Sequence, residues 1–402
     1  MSRLSSSRSS STLSLNSSFS SSITTPDSDS EIIVSAVRNH VSPLNSSDTF
    51  ILVTGGLGFI GSHTSLELLK AGYNVIIVDD LSNSYHNVLG KINTLAARYC
   101  AQEGLKLPTL HFHKLDYQSK AMRFLLESYS TLSKISGVIH FAAFKSVSES
   151  IEKPFQYYRN NVCGLVDFVE LLGKHNIHKF VFSSSATVYG SKAAKGERLR
   201  EEEPSVSGLT SPYGRSKYFC EAILADIAHA DPSWRIVALR YFNPIGCDPS
   251  GLLGEDPKGI PTNLFPVIAQ VLTGSRSELD IFGTDWNTRD GTAIRDFIHV
   301  ADLARGHVAA LSSDIESPFR TFNLGTGNGT TVAEAVKSLE GASSQNIAVK
   351  LAPRRIGDVG FCVAANDRAK KELGWTAKES IQKCAKDLWN YVNQPQTGLS
   401  FS

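Results

Sequence analysis

From Phe50 onward the chain alternates between short apolar runs and longer segments with helical spacing of apolar residues. The runs Phe50–Val53, Asn74–Val78, Leu110–His113, Gly137–Phe141, Lys179–Phe182 and Arg235–Leu239 are continuous or β-branched rather than strictly alternating. Such runs belong to strands covered on both faces. The segments His63–Lys70, Tyr85–Ala101, Ala121–Tyr129, Pro154–Lys174 and Lys217–His229 read as helices between them. This alternation predicts an α/β fold with a doubly wound parallel sheet. After about Tyr241 the rhythm breaks and Pro, Gly and Asn become frequent, which predicts a smaller, loop-rich C-terminal lobe. A ligand would then lie between the lobes, outside the carboxyl ends of the strands.

Residues 1–48 follow neither period. About half the positions from Ser2 to Ser30 are serine, and no acid appears before Asp27. Such a stretch buries too little apolar surface to offset its ordering entropy, so a disordered leader is expected. The same Ser/Arg-rich, acid-poor composition suits an organelle transit peptide, and that alternative stays open beside a cytoplasmic location. Forty basic against thirty-nine acidic side chains leave a formal charge of +1, which gives no net field for nucleic acid or an anionic membrane. No apolar run has the length of a membrane span. The six cysteines are scattered without a Cys-x-x-Cys pair, which argues against a disulfide scaffold or a structural zinc and for a reducing compartment.

Gly55-Gly56-Leu57-Gly58-Phe59-Ile60-Gly61 follows the first strand and opens the first helix. In that context glycine lets the backbone turn sharply and approach a pyrophosphate, while the helix amino end supplies free N–H groups. The second strand ends at Asp79, eighteen residues after Gly61. A carboxylate there accepts from a ribose diol and repels a 2′-phosphate, so NAD is favoured over NADP. Residues 49–241 therefore read as an NAD-binding Rossmann domain. Residues 242–402 read as a substrate-binding lobe with segments returning to it.

Tyr213 and Lys217 stand four residues apart, which puts phenol and ammonium on one helix face. An adjacent ammonium would lower the phenol's pKa and make it a usable base. The serine run Ser183–Ser185 closes the fifth strand, at the edge where such sheets carry their sites. A hydroxyl there can bridge the tyrosine and a substrate oxygen.

Together, Thr54–Gly61, Asp79, Ser183–Gly190, Tyr213 with Lys217, and Arg240–Pro244 resemble the extended short-chain dehydrogenase/reductase superfamily. Ile139–Ala142, Asn160–Val162, Gly254–Pro257 with Gly259–Pro261, Arg295–Val300, Phe322–Gly325 and Ala352–Arg355 with Gly357-Asp358 resemble its nucleotide-sugar 4-epimerases, from about Phe50 to about Tyr391. The resemblance implies NAD-dependent, reversible inversion at C4 of a UDP-hexose (UDP-glucose and UDP-galactose) through a 4-keto sugar, within galactose metabolism. It implies Tyr213 as base, Ser185 as its helper, and Lys217 on the nicotinamide ribose. Around the cofactor it implies Gly55, Gly58, Phe59, Ile60, Gly61, Asp79 and Asn83. Asp116 and Tyr117 would lie near the adenine, with Phe141, Ala142, Lys145, Asn160, Ser183 and Tyr241 completing the surround. For the substrate it implies Thr187 at the sugar, Asn243 and Asn263 on the nucleotide sugar, Arg295 and Arg355 on the diphosphate, and Asp358 on the uridine ribose. Cys362 would form a wall beside sugar C2, and its small side chain would admit UDP-N-acetylglucosamine and UDP-N-acetylgalactosamine. A homodimer is implied, with Val162, Leu165, Val166, Val169, Leu172 and Ile223 lining a helix seam. Two other functions compete: a nucleotide-sugar 4,6-dehydratase, and a non-catalytic NAD-binding sensor. The dehydratase needs a second acid/base pair beside the tyrosine, whereas residues 185–187 are Ser, Ala and Thr.

Overall fold

The computed structural model describes residues 48–394, apart from 133, 205–207, 260, 262 and 356–357. The serine-rich leader lies outside the described residues, as do Ile260 and Gly357 of the motifs quoted above.

Seven parallel strands form one sheet in the order β11-β6-β5-β4-β1-β2-β3. They are β1 (Thr49–Thr54), β2 (Asn74–Asp79), β3 (Leu110–Lys114), β4 (Lys134–His140), β5 (Lys179–Ser185), β6 (Arg235–Tyr241) and β11 (Phe319–Leu324). Side chains alternate across a strand, so a continuous apolar run feeds two cores at once. In β1, Ile51 and Val53 enter one core, shared with helices α1 (Phe59–Lys70) and α2 (Asn87–Glu103). Phe50 and Leu52 enter the other, shared with α3 (Lys120–Leu132), α6 (Gly164–Lys174) and α7 (Pro212–Ala230). The chain runs outward through β1, β2 and β3 and then returns to place β4 on the other side of β1. That reversal opens a crevice at the carboxyl ends of β1 and β4.

All six expected strands are present, most extended by one to three residues. The helix expected over Pro154–Lys174 is present along its whole length, with a π turn inside it. Behind α4 (Val147–Glu152) it consists of α5 (Pro154–Tyr158), a wide π turn (Arg159–Cys163) and α6. Helix α7 starts at Pro212, ahead of the expected Lys217, because Ser211 caps it: its hydroxyl accepts from the Gly214 N–H at 3.1 Å, with proline in the first turn. The seventh strand was not foreseen. In β11 Arg320 and Thr321 interrupt the apolar run, and the strand is recruited to the β6 edge by Phe322 and Leu324, which join the first core.

Late residues build two things. Helix α9 (Val300–Ser312) packs Leu303, Ala310 and Leu311 onto the sheet face that carries α1. The rest forms the smaller lobe. It contains β7 (Asn243–Ile245), α8 (Leu264–Leu272), β8 (Leu279–Phe282), β9 (Ile294–Arg295), β10 (Phe297–His299), β12 (Thr330–Thr331), α10 (Val332–Ser343), β13 (Val349–Ala352), β14 (Phe361–Cys362) and α12 (Ile381–Val392), whereas α11 (Asp367–Leu373) returns to the sheet and packs Ala369 and Leu373 on the first core. The lobe's own core gathers Phe265, Ile268, Phe297, Leu339 and Leu388.

The proposed seam needs correction. Leu165, Val169 and Leu172 are fully buried in this chain's own core, because their helix must cover the sheet. The apolar side chains left exposed on that side include Val147, Ile151, Phe155, Val166 and Phe219. Among the described residues no helix is long and apolar enough to cross a membrane.

Candidate active site

The glycine loop closes tightly over the end of β1. Gly55 has φ +69°, and a Cβ there would stand 2.8 Å from the Ala142 nitrogen, so only glycine fits. A Cβ on Gly61 would collide with the Gly55 carbonyl oxygen, which is why helix and loop can touch. Gly58 caps α1 without a side chain, so no side-chain oxygen covers the N–H groups of the turn that begins with Phe59 and Ile60. Asp79 is buried beside this loop. Its Oδ2 accepts from the Leu57 N–H at 3.0 Å, and its Oδ1 from Leu81 N–H (2.9 Å) and the Ser84 hydroxyl (2.8 Å). Loop, uncapped helix end and carboxylate thus meet in one place, and they fit a dinucleotide. The smaller lobe reaches across this edge: the Lys258 N–H donates to Asn83 Oδ1 at 3.1 Å, and its ammonium to the Leu81 carbonyl at 2.6 Å.

The neighbouring wall comes from the ends of β3 and β4. Phe141 and Ala142 N–H both donate to the Thr54 carbonyl, at 2.9 and 3.2 Å. Tyr117 is buried, packs edge-on against His140, and donates its hydroxyl to the Asn160 carbonyl at 2.6 Å. Asp116 instead points outward and accepts from its own turn, the Gln118 N–H at 2.9 Å. The π turn explains the Asn160 and Asn161 geometry. It turns both carbonyls toward side-chain donors, Tyr117 for Asn160 and the Cys220 thiol for Asn161 at 3.0 Å. Asn161 was quoted in a motif without a role. Its side chain fixes Phe144 through two 2.9 Å bonds and also donates to Ser216 at 3.2 Å. Lys145 stands apart from this wall and pairs with Glu255 at 3.2 Å, which also accepts from Asn263 at 3.3 Å.

The reactive cluster sits where β5 ends and α7 begins. The Ser185 hydroxyl faces the Tyr213 phenol closely enough to lower its pKa. That hydroxyl oxygen accepts from the Thr187 N–H (3.2 Å) and hydroxyl (3.0 Å), which directs its own proton toward the phenol. Lys217, 3% exposed, donates to the Ser183 carbonyl at 2.6 Å and lies 4.7 Å above the Phe182 ring. The Ser183 hydroxyl bonds to Tyr241. The expected acidification of Tyr213 by Lys217 is not what the structure gives. Burial raises the phenol's pKa, and Ser185 is the neighbour that lowers it. Burial also pushes Lys217 down to about 8, opposed by Cys220 and Glu221. Both groups are closer to neutral than their sequence spacing suggested, since neither faces water.

In the smaller lobe β9 and β14 lie side by side, with Cys362 opposite Arg295. Arg295 is paired with Asp358, which also accepts from the Val359 N–H at 3.0 Å. The Arg355 guanidinium stacks 3.8 Å from the Phe282 ring, and burial lowers its pKa with Arg295 adding to the effect. Two guanidinium groups in mutual range suit a diphosphate. Asn243 is held by its backbone N–H, which donates to the Asp296 carbonyl at 3.0 Å. Cys362 packs on a cluster containing Ala186 and Phe242, which brings it to the Ser185–Thr187 end of β5.

This fold and site define a nucleotide-dependent oxidoreductase-like scaffold, and the chain belongs to the NAD dependent epimerase/dehydratase family, whose model matches residues 51–325. The match closes where β11 does. Among its relatives, UDP-glucose 4-epimerase 2 of Arabidopsis thaliana is 44% identical over 354 residues, 88% of this chain and 97% of that protein. The bifunctional UDP-glucose 4-epimerase and UDP-xylose 4-epimerase 1 of Pisum sativum is 45% identical over 358 residues, 88% of this chain and 99% of that one. A solved structure of Bifidobacterium longum UDP-glucose 4-epimerase, in complex with NAD+ and UDP, superposes with a TM-score of 0.78 at 44% identity, covering 85% of this chain and 97% of its own.

Proposed function

We propose that the protein inverts C4 of UDP-hexoses, interconverting UDP-glucose and UDP-galactose with NAD bound in the glycine-loop crevice. The observation that carries the proposal is the placing of Ser185, Tyr213 and Lys217 side by side at the carboxyl edge of the sheet, beside a loop that fits a dinucleotide. When bound, NAD supplies acceptance and return of the hydride at C4, so the sugar passes through a 4-keto form. Tyr213 takes the proton of the 4-hydroxyl and later gives it back. Ser185 steadies the phenolate oxygen through its directed proton. Lys217 adds positive charge on the same helix face, where water is excluded and charge acts strongly. Arg295 and Arg355 hold the diphosphate, Asn243 and Asn263 the nucleotide sugar, and Asp358 the uridine ribose. Cys362 leaves room beside C2, which extends the substrates to N-acetylated UDP-sugars. The dehydratase alternative lacks its second acid/base pair: residues 185–187 bear no carboxylate, and Glu221 on α7 is committed to Arg240 and Ser184. A silent NAD sensor would not require Ser185, Tyr213 and Lys217 to be placed together.

A homodimer completes the proposal. Phe155, 79% exposed, with Ile151, Val147, Val166 and Phe219, leaves apolar surface on the α4–α7 side that a second copy would cover. All six cysteines are unpaired, which supports a cytoplasmic location. Incubating the purified protein with UDP-galactose, without added NAD, and identifying the sugar nucleotides by chromatography tests the central claim. Formation of UDP-glucose is expected, and its absence with NAD restored would overturn it.

A further inference from the structure

Tyr213, Lys217 and Glu221 recur every four residues along α7, forming one stripe toward the sheet. Glu221 is 5% exposed and fully engaged. Its Oε1 accepts from Arg240 Nε at 2.9 Å and from the Ser184 hydroxyl, and its Oε2 from Arg240 Nη2 at 2.6 Å. Arg240, itself 3% exposed, gives its remaining donors to the Glu201 carbonyl (2.8 Å) and the Tyr189 hydroxyl (3.2 Å). Ser184 stands between Ser183, whose carbonyl takes the Lys217 ammonium, and Ser185, whose hydroxyl faces Tyr213. The carboxylate therefore clamps α7 to β5 at the residue between the two that the reactive pair touches.

The surroundings of Lys217 give that carboxylate a second task. From β5 it meets the Phe182 ring and the Ser183 carbonyl, and the His140 imidazole of β4 lies within its electrostatic reach. From β6 come Tyr241, through Ser183, and Arg240, through Glu221. From α7 itself come Tyr213, Cys220 and Glu221. Burial pushes His140 down to about 3 and Cys220 up to about 12, and raises Tyr213 and Tyr241, so all four are uncharged near neutral pH. Glu221 is the negative charge left to oppose desolvation of the ammonium.

We propose that Glu221 is a positioning residue that keeps Lys217 charged and seats the Tyr213–Lys217 face of α7 on the end of β5. The proposal rests on the reading of that pair as the proton site. Its test is the pH dependence of kcat for UDP-galactose with the purified, NAD-containing protein. In Glu221→Gln the alkaline limb moves down by about one pH unit, the size of effect a single close buried charge exerts. In Glu221→Asp, which keeps the charge, the limb stays at its wild-type pH while kcat falls. Glu221→Gln leaves Arg240 unpaired and buried; if that variant does not fold, the double variant Glu221→Gln/Arg240→Met removes both charges, and because the lost cation offsets part of the lost anion its limb moves down by less than one pH unit. A merely structural role would lower the melting temperature and scale kcat equally at all pH values. A folded variant lacking the carboxylate but keeping the wild-type limb overturns the inference. Absence of epimerisation by the wild-type protein would instead overturn the reading of the site.

Discussion

Lys217 donates to the carbonyl of Ser183 at 2.6 Å, two residues before the Ser185 hydroxyl that faces Tyr213. Helix α7 and strand β5 are thus joined through the ammonium, and the phenol is set opposite the hydroxyl that ends the strand.

Replacing Tyr213 by Phe removes the proton acceptor and keeps the ring. kcat should fall by roughly two to four orders of magnitude, the usual contribution of a positioned acid/base group. The melting temperature should change little, since only the contact with the Ser185 hydroxyl is lost. Steady-state kinetics beside a thermal melt checks both.

The buried lysine sets a pH dependence with opposite signs for activity and stability. With a pKa of about 8, Lys217 loses its charge above that pH, and kcat should decline there. The unfolded chain keeps the proton up to about pH 10.4, so between these values it binds more protons than the native state. Stability therefore rises with pH across that window, as far as this group is concerned. A kcat that falls above pH 8 without a matching fall in melting temperature is the expected result; parallel losses would contradict it.

Gly55→Ala places a methyl against the Ala142 nitrogen in a left-handed backbone conformation. About 1–3 kcal/mol of strain is expected. The loop would shift and the bound nucleotide would be lost. Absorbance of nucleotide released on denaturation, compared with wild type, measures this.

Cys362→Tyr fills the space next to Ala186 and Phe242. Turnover of UDP-N-acetylgalactosamine should fall sharply while UDP-galactose turnover survives. Equal effects on both sugars, or no N-acetyl activity in the wild type, would remove the steric argument.

Phe155→Glu puts a charge in the centre of the exposed apolar surface. Sedimentation should show a monomer for the variant and a dimer for the wild type. A wild-type monomer would dispose of the homodimer.

Much of this was legible in the residues. Phe50–Val53 and its companions declared a two-faced sheet because each alternate side chain had its own core to enter. Gly55 and Gly61 could be read because no other residue tolerates those contacts. Glu221 was overlooked, although it stands eight residues after Tyr213. A buried carboxylate looks like any helical glutamate until Arg240 and Ser184 arrive from other strands. The π turn was equally hidden: the weak helix formers Asn160, Asn161, Val162 and Cys163 mark no particular turn, and its widening answers to distant donors, Tyr117 and Cys220. Arg295 and Asp358 were given separate duties, whereas they meet each other.

The late strand β11 bears on how the protein is made. A nascent chain that has left the ribosome only as far as Tyr241 has six strands, an uncovered β6 edge, and neither Leu303 nor Phe322 to finish the face behind the glycine loop. An open edge of that kind invites pairing with other chains. The nucleotide cradle therefore matures only after some eighty further residues have been translated, and premature stops in that interval should yield aggregates rather than an idle half-enzyme.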